Sequence, residues 1–272
     1  MAISICGVSL CGVALLASAA IASDPWADSV VGYTPGANPS GGAVNPASSL
    51  GEPARFSPNA DPQFASVVSP FSPAYLPSHI VSMGAGGSLV VGFAEPVTND
   101  PANPFGVDLL VFGNAMLEDA AWPSGVTTGN IFAGNGVIEV SSNGADWHLV
   151  PNVLADAAYP TLGYSDISNA YANAPGAVPS DFTRPVDPAF HFLAGMTMTD
   201  IQAAYAGSGG GAGVDIGLLG LSSISFVRIS NPSGEFGTVE IDGFADVSPV
   251  PSPAAVTLLG IACLSAGRRR RV

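Results

Sequence analysis

Val137-Ile138-Glu139-Val140 and Trp147-His148-Leu149-Val150 flank Ser142-Asn143-Gly144-Ala145. Apolar residues recur at every second position in the first arm, the period of a half-buried strand. Asn143-Gly144 supplies the positive backbone φ that a tight reversal needs. The stretch therefore predicts an antiparallel hairpin. Working outward, the runs 88–93, 107–112, 136–141, 146–150, 224–230 and 238–245 are short, rich in Val, Ile, Leu and Phe, and bounded by turn residues. Each reads as a strand. In Val239-Glu240-Ile241-Asp242-Gly243-Phe244 the alternation predicts one buried and one wet face.

Helix is scarce. The best candidate is 200–206, with Thr199 as N-cap and Gly207 as stop. The glycine tract 208–213 lacks the Lys-Ser/Thr of a phosphate-binding loop and reads as a mobile surface loop. Short strands, Pro/Gly-rich connections and little helix predict a mostly β fold, an antiparallel β-sandwich or jelly roll with long loops. Residues 80–247 form this sandwich. Residues 23–79, rich in Pro, Gly, Asn and Ser, read as its turn-rich N-terminal part, with Trp26, Val30, Val31, Tyr33, Phe56, Phe64, Val67, Val68, Phe71 and Tyr75 as anchors to a core.

Charge narrows the partners. The chain has 272 residues, 7 basic and 21 acidic, for a net charge of −14, and no lysine. Four of the basic residues are Arg268, Arg269, Arg270 and Arg271 at the C-terminus. Between Asp24 and Asp246 lie all 21 acids against Arg55, Arg184 and Arg228 alone, a net of −18. Such a field repels nucleic acid and anionic membrane surfaces and favours cations. It serves either solubility in a salty medium or Ca²⁺ sites built from hard oxygen ligands, although no D-x-[DN]-x-[DN]-G loop occurs.

The two ends read as addresses. Met1 to Ala22 is an apolar, small-residue run ending Ala20-Ile21-Ala22, an A-x-A pattern that predicts a signal peptide cleaved after Ala22. In the tail, 248–272, Val250-Pro251-Ser252-Pro253 leads into fourteen apolar or small residues and then the arginine cluster. This resembles the PEP-CTERM sorting signal of exported bacterial proteins, with Ser252 in place of the usual Glu. The resemblance implies transient inner-membrane anchoring, processing by an exosortase after signal peptidase, and a destination in the cell envelope, outer surface or extracellular matrix. The alternative is a plain C-terminal membrane anchor with a basic flank. Cys6, Cys11 and Cys263 all fall in the two ends, leaving the intervening region without a disulfide or a Cys-type zinc site.

Ile138-Glu139-Val140-Ser141-Ser142-Asn143-Gly144-Ala145-Asp146-Trp147 resembles a hairpin of discoidin-like, galactose-binding-type domains, and 224–229 and 239–244 resemble later strands of that fold. Residues 86–93 and 108–114 resemble a group of bacterial cell-surface proteins. The resemblance implies glycan binding by loops at one end and a structural Ca²⁺. Trp122 is the leading candidate for an exposed sugar platform, with Trp147, Tyr159 and Tyr164 as further candidates. Asp108, Asn114, Glu240 and Asp242 are the candidate metal ligands; the alternative is that they satisfy turn backbone groups or face water. No motif requires a cofactor. His79, His148 and His191 show no ligand spacing, and neither H-E-x-x-H nor G-x-S-x-G occurs. The expected function is non-catalytic binding or organisation of surface polysaccharide. The alternatives are a secreted hydrolase of polysaccharide or protein and a purely structural matrix protein.

Overall fold

The computed structural model describes residues 24–58, 65–232 and 237–247. Within them the strands are β1 (Ser29–Thr34), β2 (Val81–Met83), β3 (Gly87–Thr98), β4 (Leu109–Gly113), β5 (Met116–Asp119), β6 (Thr127–Phe132), β7 (Val137–Ser141), β8 (His148–Leu154), β9 (Ala212–Val214), β10 (Ser223–Asn231) and β11 (Val239–Asp246), with one α-helix, α1 (Met198–Tyr205). One sheet has the order β1-β3-β10-β7-β8, the other β2-β11-β4-β9, and β5-β6 is a separate hairpin. Every strand pair is antiparallel. Leu89, Val91, Ile138, Val140, Val227 and Ile229 of the first sheet share a core with Val81, Met83, Leu109, Val111, Ile241 and Phe244 of the second. This is the expected β-sandwich, each fully buried aliphatic side chain stabilising it by about 1.5–3 kcal/mol.

The hairpin that predicts the fold is present, with a wider reversal than its sequence suggests. The Asn143 Oδ1 accepts from the Ala145 and Asp146 N–H groups at 2.8 and 2.9 Å. Gly144 takes φ +74° and donates to the Ser141 Oγ. The side chain of Asn143 thus builds the turn, and β8 begins only at His148. On the outer face Arg228 stands opposite Glu139 and donates to both its oxygens at 2.7 and 2.6 Å. Its guanidinium also lies 4.3 Å from the centroid of the Trp147 ring.

Three expectations are corrected. First, β11 has no continuous wet face: Asp242 and Gly243 are both buried. The N-terminal part covers them, with the Ala54 N–H donating to Asp242 at 2.9 Å and Pro53 packed over Gly243. That part also supplies β1 and the buried Val67, Val68 and Phe71, whereas Val31 is exposed; Phe64 lies outside the described residues. Second, the helix is capped by Thr197, not Thr199. Asp200 sits three residues after Thr197 and returns a bond to its N–H, closing a capping box.

Third, the glycine tract is not a mobile loop. Ser208 to Ala212 are buried, the Gly209 and Gly211 N–H groups bond to the Asp181 and Tyr159 carbonyls, and Leu162 donates to the Gly209 carbonyl. A Cβ on Gly209 would strike the Phe182 ring, and one on Gly210, at φ +89°, would lie 2.6 Å from the Pro160 carbonyl oxygen. Glycine here permits close approach of chains. Gly210→Ala is expected to cost ~2–4 kcal/mol, lowering Tm by roughly 5–15 °C. An unchanged Tm in thermal denaturation would refute the packing role.

Candidate functional site

Beside the sandwich a second core gathers Phe71, Leu117, Leu162, Met198, Ile201 and Tyr205, on which the β5–β6 hairpin rests. The loop 120–126 at the tip of that hairpin is organised by one carboxylate. Asp119 Oδ1 accepts from the Ala121 N–H at 3.0 Å and the Ser124 hydroxyl at 2.5 Å. Its Oδ2 accepts from the Gly125 N–H at 2.8 Å and the Tyr171 hydroxyl at 3.0 Å. Burial opposes ionisation, but these donors hold the Asp119 carboxyl below the usual range. Gly125, at φ +65°, lies against Ala170, where a Cβ would approach that side chain to 2.7 Å.

The loop so fixed carries Trp122, which is 58% exposed. Its ring meets Tyr171 edge-on at 6.2 Å, and with Phe71, Phe132, Glu118 and Asp119 the two aromatics line a cavity of about 170 Å³. Glu118 accepts from Thr128 and Asn130. The exposed indole thus borders a cavity that also carries the Glu118 and Asp119 carboxylates.

A larger recess of about 470 Å³ lies at the end of the sandwich where β4 finishes and β11 begins. It brings together two of the predicted residues, Asn114 and Glu240, whose side chains are hydrogen-bonded with the Asn114 amide donating. Deeper lies Asp156, which no motif in the sequence marks. It accepts from the Ala115 N–H at 2.7 Å and the Glu240 N–H at 3.3 Å. A Cβ at Gly113 or Gly134 would intrude on its carboxyl group. The sequence signal for this carboxyl is the placement of two distant glycines, recognisable only once the chain is folded. Burial, then the neighbouring Glu240 charge, push Asp156 up to about 7 against the pull of its backbone donors.

The remaining predicted residues are dispersed. Asp108 precedes β4 and Asn114 follows it, so the strand holds them roughly 20 Å apart at 3.3 Å per residue. Asp108 accepts from Asn103, Asp100 and Ile216, satisfying a turn. Asp242 faces Ala54 on the covered side of its sheet. These residues do not form one ligand set, and among the described residues no three His, Cys, Asp or Glu side chains converge as a metal centre. Arg228 occupies a face of Trp147. Tyr159 belongs to an aromatic cluster with Phe190, Phe192 and Tyr205, its hydroxyl bonding to main-chain carbonyls. Tyr164 is half-buried against the second core. Among the described residues no helix is long and apolar enough to cross a membrane. The processing residues Ala20, Ala22, Val250, Pro251, Pro253 and Arg268 to Arg271 lie outside the described residues.

Burial raises Asp156 and Asp242 to about 7 and, with the Asp108 charge, Asp246 to about 6. Well below about pH 4 these groups are protonated in both folded and unfolded chains. As pH rises toward 7 the unfolded chain ionises first, so it binds fewer protons and stability falls. Tm is therefore expected to decline between about pH 4 and 7, and Asp242→Asn, neutral and still able to accept from Ala54, flattens that decline. A Tm rising across this interval, or an unaltered slope in the variant, would contradict the assignment.

No protein-family model matches the chain, and no curated protein is significantly similar to it.

Proposed function

We propose that this is an exported cell-surface or extracellular-matrix protein that binds surface glycans without catalysis, through the Trp122 shelf. The observation that carries the reading is an indole left 58% exposed on a loop that Asp119 and Tyr171 hold fixed. Exposing such a ring costs the fold its burial, whereas a fixed aromatic face binds a sugar with little further loss of entropy. The signal-peptide-like leader and arginine-terminated tail support export, with signal peptidase and an exosortase as processing partners.

Binding is favoured over hydrolysis because both oxygens of Asp156, the buried acid of the recess, accept main-chain N–H bonds. That bonding describes a structural carboxyl. A purely structural matrix role leaves the cavity beside Trp122 without a use.

Affinity electrophoresis through gels containing neutral and charged bacterial polysaccharides tests the reading. At least one polymer is expected to retard the wild type. Trp122→Ala should abolish the retardation, while Trp147→Ala, whose indole stacks on Arg228, should leave it intact. Equal mobility in every gel would reject the proposal.

A further inference from the structure

The cavity beside Trp122 and the recess at Glu240 have two lining residues in common, Met116 and Phe132. These face each other across the β5–β6 pair, and Phe132 is 55% exposed. The two hollows are therefore one groove with an apolar saddle in the middle. At roughly 3.3 Å per residue, the four residues of β5 set its ends about 10 Å apart or more, a length that suits a chain of sugars.

The groove is acidic at both ends, with Glu118 and Asp119 at one and Glu240 at the other. The donors on Glu118, Asp119 and Glu240 are neutral hydroxyl, amide and main-chain groups. Among the described residues no basic side chain lines either hollow. Lysine is absent from the chain. Arg55 pairs with Glu52 and covers the Phe182 ring, and Arg228 pairs with Glu139 on the opposite sheet. The recess also offers the hydroxyl oxygens of Ser40 and Thr238, 3.4 Å apart. An ammonium group has three donors and no acceptor, and so matches a carboxylate flanked by hydroxyls. A uronate or sulfate ester brings like charge and is repelled.

Resting on the reading that the Trp122 shelf binds glycan, we propose that the ligand is a linear polysaccharide bearing free amines, laid from Trp122 over the Met116–Phe132 saddle with an ammonium group in the Glu240 recess.

Calorimetric titration of the protein with a glucosamine oligosaccharide, its fully N-acetylated counterpart and an oligouronate tests this. The amine form is expected to bind about tenfold tighter than the acetylated form, as one charge-assisted hydrogen bond provides, and the uronate not at all. Glu240→Gln should abolish that preference while retaining the acetylated-sugar affinity, and Trp122→Ala should weaken both. Glu95→Gln, which removes one exposed charge from β3, should leave the preference intact. Equal affinity for the two sugars, or a loss of preference in Glu95→Gln matching that in Glu240→Gln, would overturn the amine assignment while Trp122-dependent binding still upheld the shelf. Binding of none of the three would reject both.

Discussion

Strand β4 is apolar on both faces, and the rest of the molecule follows from the need to bury it twice. Leu109 and Val111 enter the sandwich core, which the five-stranded sheet closes. Leu110 and Phe112 point the other way, and there Phe182 meets Phe112 edge-on at 5.1 Å. The third sheet, the β5–β6 hairpin, rests on the second core instead. Long segments with little regular structure do so, including residues around Pro53 and Phe182. Such segments place backbone polar groups near the interior, and those groups need partners. The buried serines and glycines provide close main-chain contacts: the Ser69 hydroxyl bonds to the Ala170 carbonyl, and Ser208 to that of Arg184.

The same economy positions the proposed binding shelf. A hairpin of two short strands is marginal on its own. Here Leu117 sinks into the second core, and the Thr127 N–H bonds to the Met196 carbonyl, tying β6 to the segment just before α1. Trp122 thus projects from a support whose rigidity originates in residues far along the chain. Asp119 acts as the local clamp, joining its own loop to Tyr171.

How much of this was legible in the sequence depended on whether the determining contacts were local. The β7–β8 hairpin was readable because its period and its Asn-Gly turn sit within fourteen residues. The hairpin β5–β6 was not: Thr127-Thr128-Gly129-Asn130 has too little apolar character to register as a strand, and its pairing partner supplies the support. The glycine tract misled for a related reason. Glycine signals flexibility when nothing else is nearby, but Phe182 and Pro160 close in from elsewhere in the chain. The exposure of Trp122 was foreseeable from its turn-rich loop, whereas Trp147 lost a face to Arg228, a partner about eighty residues away. The prominence of Asp156 had no local signature at all.

The way the arginines are held bears on resistance to proteolysis. A protease that cuts after basic residues meets no lysine in this chain and, within the described residues, three arginines. Arg228 is in the middle of a central strand, paired on both sides. Arg55 is fastened to the Gly163 and Ser180 carbonyls and laid over Phe182. Arg184 is followed by Pro185, whose ring crowds the scissile bond and whose nitrogen carries no N–H. The acidic composition and the placement of its few cations leave the folded sandwich without a ready cleavage point for trypsin-like enzymes, an advantage that the proposed export would call on.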